Sequence, residues 1–164
     1  MAIFLLPVTR KHLSMIHRWR NNPIVRKEMF NTNEIPYSEH VSFWEKRLAI
    51  EKTSAVSYSY VIQSNDGSVG MARLDPDSAK KGAFKVDILL NPKFHGKGIG
   101  TLALIALVEK ARELGINTLV GRVKKDNIAS RRIFEKAGFV LSDDYSADGV
   151  MVFILTSPFP IFLR

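Results

Sequence analysis

Seven stretches of the chain are rich in Val, Ile, Leu, Tyr and Phe, and their alternating or short continuous apolar runs predict β-strands. Asn65, Asp66 and Gly67 lie between the second and third stretches and predict a hairpin turn. The fourth stretch alternates, which places Val86 and Ile88 on one face of the sheet. We expect strands at residues 3–8, 55–63, 68–75, 83–90, 118–123, 139–141 and 150–156.

Apolar residues three and four positions apart predict four helices between these strands. In the first, residues 12–21, Leu13, Ile16 and Trp19 share one face, and Asn22-Pro23 ends the helix. The second helix begins at Ser38, and its apolar face is Val41, Trp44, Leu48 and Ala49. The third covers residues 101–113 and is ended by Gly115, and the fourth covers residues 128–137, between Asn127 and Gly138. This order predicts one α/β domain over residues 1–164, built around a mixed, twisted sheet.

A glycine-rich turn joins the fourth strand to the third helix. Gly96, Gly98 and Gly100 alternate along it, and we expect them to adopt left-handed conformations that bring the backbone close to a ligand. The free amides and positive dipole end of the following helix, from Thr101, can then hold an anion such as a diphosphate. The turn is neither a dinucleotide fingerprint nor a P-loop, because Thr101 and Gly98 stand where those motifs need Gly and Ser or Thr.

Two segments resemble the GCN5-related N-acetyltransferase (GNAT) family. His95, Gly98 and Gly100 match the family's Arg/Gln-x-x-Gly-x-Gly/Ala motif, and residues 127–139 are similar to its Asn-x-x-Ala/Ser-x-x-x-Tyr/Phe-x-x-x-Gly-Phe segment. The resemblance implies a GNAT fold, with helices flanking a sheet whose central strands splay apart, and acetyl-CoA as cosubstrate without a metal. It implies a cofactor site formed by Asp87, Ile88, Leu89, His95, Gly96, Lys97, Gly98, Ile99, Gly100, Thr101, Asn127 and Phe134.

The parts of this implied site have different roles. The backbone at Asp87, Ile88 and Leu89 is expected to pair with the pantetheine arm. Residues 95–100 are expected to cradle the pyrophosphate, with Thr101 at the start of the helix. Asn127 is expected to contact the pantetheine, or only to cap its helix. The Lys97 side chain is expected to stay solvated, and that of Ile99 to pack beneath the turn. His95 departs from the family's Arg or Gln, so cofactor affinity is expected to weaken as pH rises.

Two catalytic positions also depart from the family pattern. Phe134 stands where many members have a tyrosine that protonates the leaving thiolate, and Arg122 stands where some members have a glutamate base. An acceptor amine that is already mostly neutral near pH 7 would need no strong base, and water could take its proton. We select Asp87 as the catalytic side chain that handles the ammonium. Tyr58, Tyr60 and Tyr145 remain open as replacements for the missing acid.

A finer resemblance points to a nucleotide-linked amino sugar as acceptor. The segments 19–21, 25–26, 40–44 and 134–138, together with Asp87, are similar to the branch that acetylates the 4-amino group of UDP-linked deoxy sugars. Arg20, Arg26 and Lys27 would then reach the diphosphate, or would form a solvated helix end. Trp19 and Trp44 are expected in the core.

Two other functions stay open. One is a protein N-terminal or ribosomal-protein acetyltransferase, against which Arg122 and Phe134 count. The other is a module that binds acetyl-CoA without catalysis, which the missing acid and base would also suit. Release of coenzyme A with an amine distinguishes an enzyme from such a module.

Composition sets limits on the partners. The 164 residues include no cysteine, which agrees with a reducing compartment, and we expect a cytoplasmic protein because no apolar run could span a membrane. A net charge of +8 favours anionic partners, but the motifs of nucleic-acid-binding domains are missing, so nucleic acid is not expected as the main partner. The apolar tail, residues 158–163, could close the core or form a homodimer contact.

Overall fold

Seven strands form one mixed sheet in the part of the chain that is described. The computed structural model describes residues 1–54, 56–147 and 149–162, and for residues 144–147 it describes the backbone alone. The sheet order is β1-β2-β3-β4-β5-β7-β6, and every neighbouring pair is antiparallel except β4 and β5, which are parallel. The strands are β1 Phe4–Pro7, β2 Tyr58–Ser64, β3 Gly67–Pro76, β4 Phe84–Leu90, β5 Thr118–Lys124, β6 Val140–Ala147 and β7 Val150–Thr156.

Five helices accompany the sheet: α1 Leu13–Asn21, α2 Pro23–Arg26, α3 Tyr37–Ser54, α4 Ile99–Glu113 and α5 Ile128–Lys136. Short 3-10 turns precede α1 and follow β4. Pro23 does not merely end α1, because it also occupies the first turn of α2, where its missing N–H costs nothing. None of the helices in the described ranges is both long and apolar enough to cross a bilayer.

Each face of the sheet is covered by a different pair of helices. Val86 and Ile88 of β4 point toward α4 and α5, where they join a core that includes Leu104 and Leu107. Leu89, on the opposite face, packs with residues of α1 and α3, including Trp19 and Trp44. The alternation seen in the sequence of β4 reflects an apolar face toward α4 and α5 and a mixed face, with partly exposed Lys85 and Asp87, toward α1 and α3. Both tryptophans are core residues, as expected.

The inner face of α3 differs from the prediction. Its fully buried side chains are His40 and Trp44, whereas Ala49 is exposed. His40 Nε2 donates to the Leu13 carbonyl at 2.8 Å, which ties α3 to the first turn of α1. Burial lowers the pKa of His40, partly offset by this hydrogen bond, so the imidazole stays neutral. A polar residue satisfied by a backbone partner can occupy a position that the spacing assigns to an apolar one.

Strands β4 and β5 separate soon after they meet. Their backbone pairing covers only Phe84 with Leu119 and Lys85 with Val120, although both strands continue for several residues. From Val86 onward, the edge of β4 that faces β5 has no strand partner, while β3 pairs with the other edge as far as Leu90. The splayed central strands predicted from the sequence are confirmed.

The described part of the C-terminal tail closes the core. Phe159 is buried with the α4–α5 cluster, and Arg112 of α4 donates to the Pro160 carbonyl at 2.7 Å. Ile161, in contrast, is exposed. Leu163, the last residue of the predicted tail, and Ala55, the first of the predicted second strand, lie outside the described residues.

Gly121 of β5 makes room for the ring of Phe134. A Cβ at Gly121 would lie 2.1 Å from Phe134 Cε1, and the ring is further held by stacking on Phe153 (centroids 5.7 Å apart) and edge-on contact with Phe139 (5.0 Å). We therefore expect Gly121→Ala to lower the free energy of unfolding by about 1–3 kcal/mol through overpacking. Chemical denaturation should show that Phe134→Leu in the same chain recovers part of this loss. Fully additive effects of the two substitutions would contradict the direct contact.

Candidate active site

The turn between β4 and α4 has the conformation that an anion site needs. Gly96 and Gly98 have φ values of 73° and 76°, and Gly98 is the N-cap of α4. No side chain caps this helix, and no acidic residue lies in its first turn. Because Gly98 already turns the chain, α4 begins at Ile99, two residues before the predicted start. The amides of Ile99, Gly100 and Thr101 therefore belong to the first turn, where α-helical geometry supplies no acceptor.

Gly100 differs from the expectation for the three glycines. It lies within α4 with ordinary helical geometry and is buried. A Cβ at this position would lie 2.5 Å from Ile133 Cδ1 of α5. Gly100 thus leaves room for Ile133 where α4 packs against α5, and of the three glycines only Gly96 and Gly98 have left-handed backbone. Ile99, which is buried, packs beneath the turn as expected.

Two basic side chains of the turn contact the protein itself. His95 Nε2 lies 3.2 Å from the Leu90 carbonyl, at the end of β4. The ammonium of Lys97 lies 5.3 Å from the centre of the Phe94 ring, and both His95 and Lys97 are exposed. The structure therefore places these two side chains at the rim of the turn, while the backbone amides line it.

The gap between β4 and β5 lies next to this turn. The backbone of Asp87, Ile88 and Leu89 borders the gap beyond the last pair of the two strands. Asn127 follows β5 and caps α5, since its Oδ1 accepts from the Ser130 amide at 3.1 Å. Phe134 of the same helix is almost fully buried. The structure thus places Asp87, Ile88 and Leu89 along the gap, shows Asn127 as the cap of α5, and packs Phe134 against Gly121 of β5.

A charged cleft of about 450 Å³ lies on the α1–α3 face of the sheet, beside the gap. It is lined by Phe43 and Arg47 of α3, by charged side chains of β3, β4 and β5, and by the loop after β3. Salt bridges connect its lining residues to one another and to two neighbours outside the lining, Glu51 and Asp87: Glu51–Arg47 (2.9 Å), Arg47–Asp75 (2.5 Å), Arg73–Asp87 (2.9 Å), Lys85–Asp87 (3.2 Å) and Arg122–Asp77 (2.7 Å). These four carboxylates and four cations cancel in formal charge.

Asp87 lies next to this cleft, because Arg73 and Lys85, which line the cleft, both pair with it. Its side chain is 37% exposed to solvent. Burial acts to raise the pKa of Asp87, but the charges and hydrogen bonds of Arg73 and Lys85 outweigh burial and leave this pKa below its usual value. A carboxylate of this kind is a weak base and a suitable partner for a positively charged or hydrogen-bond-donating amine.

Arg122 has a structural partner. Its two terminal nitrogens donate to both oxygens of Asp77, at 2.7 and 3.0 Å, and the Asp77 side chain is 3% exposed. The hydrogen bond from Arg122 is the main reason that the pKa of Asp77 is lowered. The pair fixes the loop after β3 against β5, so this position contributes a cation and not a base.

Three arginines form a cluster at the same face: Arg20 of α1, Arg26 of α2 and Arg73 of β3. Burial lowers the pKa of Arg20, and the positive charges of Arg26 and Arg73 lower it further. One nitrogen of each guanidinium is buried without a hydrogen-bond partner: Nη1 of Arg20 and Nε of Arg26 and Arg73. Arg20 and Arg26 are thus not a solvated helix end. A nearby anion would relieve both the repulsion and the unmet hydrogen bonds.

Two of the three tyrosines that were open as acids do not reach the cleft. Tyr58 and Tyr60 of β2 point to the α4 side of the sheet, opposite Arg73 and Asp87. Burial raises the pKa of Tyr60 to about 12. The side chain of Tyr145 lies outside the described part of the chain. Within the described residues, no group of three or more His, Asp or Glu side chains could hold a metal ion.

Arg47, Arg73, Asp75 and Asp77 were not selected from the sequence. Charged residues at alternate positions of β3 and β4, inside otherwise apolar strands, were a usable signal, since charges are rarely buried without a partner. Arg47 gave a similar signal, because it follows Trp44 by three positions on the inner side of α3.

Comparison with known proteins identifies the family. Residues 3–140 match the acetyltransferase (GNAT) domain. MJ1062, a protein of Methanocaldococcus jannaschii, is 25% identical over 84% of this chain, and the match covers 28% of MJ1062. The acetyltransferase PseH of Campylobacter jejuni is 26% identical over 82% of this chain, and the match covers 80% of PseH. The structure of AAC(6')-Ib with ribostamycin and coenzyme A shares the fold (TM-score 0.83, 21% identity, 96% and 95% of the two chains).

The chain belongs to the GNAT family of acetyltransferases, and it is an N-acetyltransferase domain that uses acetyl-CoA. The cofactor matches the observed geometry. The amides at the start of α4 and the left-handed Gly96 and Gly98 suit its diphosphate, and the unpaired edge of β4 suits its pantetheine amides. When bound, acetyl-CoA supplies the thioester that is attacked by an amine.

Replacing Asp87 tests its role. We expect Asp87→Asn to lower kcat by about 10- to 100-fold, because a charge-assisted contact to the amine is lost, and to leave the KM for acetyl-CoA unchanged. The loss should be the same from about pH 6 to 9, since Asp87 is ionised over that range. Steady-state release of coenzyme A measures kcat, the KM for acetyl-CoA and the dependence of kcat on pH.

Asp75→Asn is the matched control, because Asp75 shares Arg73 with Asp87 and also lines the cleft, but lies on β3, which does not border the gap. Its effect on kcat should be small. Equal losses in the two variants, or an unchanged kcat in Asp87→Asn, would remove Asp87 from the mechanism.

Proposed function

We propose that this protein transfers the acetyl group of acetyl-CoA to the 4-amino group of a UDP-linked deoxy sugar. The observation that carries the proposal is the cluster of Arg20, Arg26 and Arg73. Each guanidinium keeps one buried nitrogen without a hydrogen-bond partner, although Arg26 also pairs with Glu34 and Arg73 with Asp87, and the charges of Arg26 and Arg73 act on Arg20. Three guanidinium groups close together suit the diphosphate of a nucleotide sugar. Lys27, with an exposed ammonium next to Arg26, would add to this site. The similarity to the acetyltransferase PseH over most of both chains supports acetyl transfer.

The charge balance of the cleft disfavours polycationic acceptors. Glu51, Asp75, Asp77 and Asp87 each form a salt bridge, so the cleft offers little net negative charge to a polyamine or an aminoglycoside. The overall charge of +8 adds long-range repulsion. In this proposal, the fold shared with AAC(6')-Ib does not imply an aminoglycoside acceptor for this chain.

The chemistry needs little from side chains. The amine nitrogen attacks the thioester carbonyl, the C–N bond forms and the C–S bond breaks. Asp87 orients the amine, and a backbone N–H of β4 beside the gap stabilises the developing oxyanion. An amine flanked by electron-withdrawing ring substituents is largely neutral near pH 7, so water accepts its proton and the thiolate is reprotonated from solvent. Phe134, which has no proton to give, is compatible with this scheme.

The test is release of coenzyme A when the protein meets acetyl-CoA and a UDP-4-amino-4,6-dideoxyhexose. We expect turnover with the sugar nucleotide and none with an N-terminal ribosomal peptide or spermidine. Arg26→Ala should raise the KM for the sugar nucleotide by about tenfold, because a charge-assisted contact to phosphate is lost. Lys136→Ala is the control, because it removes one positive charge, as Arg26→Ala does, but at the end of α5.

Turnover with the peptide alone would replace the proposal by an N-terminal acetyltransferase. Binding of acetyl-CoA without release of thiol for any amine would instead favour a non-catalytic binding module. A KM for the sugar nucleotide that Arg26→Ala leaves unchanged would remove the arginine cluster from acceptor binding.

A further inference from the structure

Phe43 forms part of the wall of the charged cleft and is half exposed. It lies on α3, and 49% of the residue is accessible to solvent. It lines the charged cleft on one side and a shallower hollow of α3 on the other. An aromatic side chain in this position leaves apolar surface open beside a group of ion pairs.

The ring of Phe43 contacts the side chains of Arg73 and Trp44. The guanidinium carbon of Arg73 lies 5.6 Å from the ring centre, and Trp44 contacts the ring edge-on, with centroids 5.7 Å apart and planes at 87°. Arg73 also donates to Asp87 at 2.9 Å. One guanidinium therefore joins the aromatic ring to the carboxylate that we assign to the amine.

Single exposed apolar residues are common on protein surfaces and need no explanation. Phe30, which is 60% exposed but does not line the cleft, is an example in this chain. Phe43 differs because Arg73 and Trp44 contact its ring and because it lines the cleft that contains Arg73. Aromatic surface beside a few placed polar groups is typical of sites that bind small molecules.

We infer that Phe43 is a specificity-determining residue that packs against the uncharged C–H face of the acceptor's sugar ring. The ring then lies on Phe43, and its amine points to Asp87. The inference rests on the proposed function, since it assigns a subsite to the amino sugar. A linear polyamine or an extended peptide has no such ring face to cover Phe43.

The test compares Phe43→Ala, Phe43→Tyr and the control Phe30→Ala, with acetyl-CoA and the UDP-4-amino-4,6-dideoxyhexose as substrates. Phe43→Ala should raise the KM for the sugar nucleotide by about tenfold, the size expected from loss of one aromatic contact. The KM for acetyl-CoA and the thermal midpoint should stay unchanged. Phe43→Tyr, which keeps the ring, and Phe30→Ala should behave like the wild type.

An unchanged KM for the sugar nucleotide in Phe43→Ala would overturn the inference. So would an equal loss in Phe30→Ala, or a rise confined to the KM for acetyl-CoA. If the wild type acetylates a different amine and not the sugar nucleotide, the proposed function fails. The variants are then compared with that amine, and a dependence on Phe43 with an acceptor that has no ring contradicts the inference. Absence of any transfer by the wild type would overturn both.

Discussion

The separation of β4 from β5 after two paired residues is the constraint on which the rest of the structure depends. Continued pairing would bond the backbone of Asp87–Leu89 to β5 and leave no edge for pantetheine. The separation is tolerated because both strands are held elsewhere, β4 by β3 and β5 by β7. Phe134, packed on Gly121, fills the space beside β5 with a well-packed aromatic group.

Charge is distributed unevenly around this gap. The chain carries an excess of eight positive charges, yet the cations and carboxylates of the cleft cancel. Uncapped amides are found at the start of α4, and Arg20, Arg26 and Arg73 each keep one buried nitrogen without a hydrogen-bond partner, although Arg26 also pairs with Glu34 and Arg73 with Asp87. In the proposed function, the first region binds the diphosphate of the cofactor and the second that of the acceptor.

Local patterns predicted the elements well, because apolar spacing and glycine positions act within a few residues. The parallel strand β5, the Gly115 and Gly138 helix ends and the Asn127 cap were all predictable. The role of Gly100 was not, because its small size is needed by Ile133, which is distant in sequence. His40 on the inner face of α3 and the pairing of Arg122 with Asp77 likewise depend on contacts between distant segments. Most residues of the candidate cofactor site belong to one continuous segment, so the sequence could group them, whereas the cleft draws on α3, β3, β4 and β5.

The central claim is that the β4–β5 gap and the start of α4 together bind acetyl-CoA, and residue-resolved hydrogen exchange tests it most directly. On addition of coenzyme A, at least one amide among Asp87, Ile88 and Leu89, and the first-turn amides of α4, Ile99 to Thr101, should gain protection. Amides of α1 and α3 should change little. Protection that appeared at α1 and α3 while β4 and the start of α4 stayed unchanged would contradict the account.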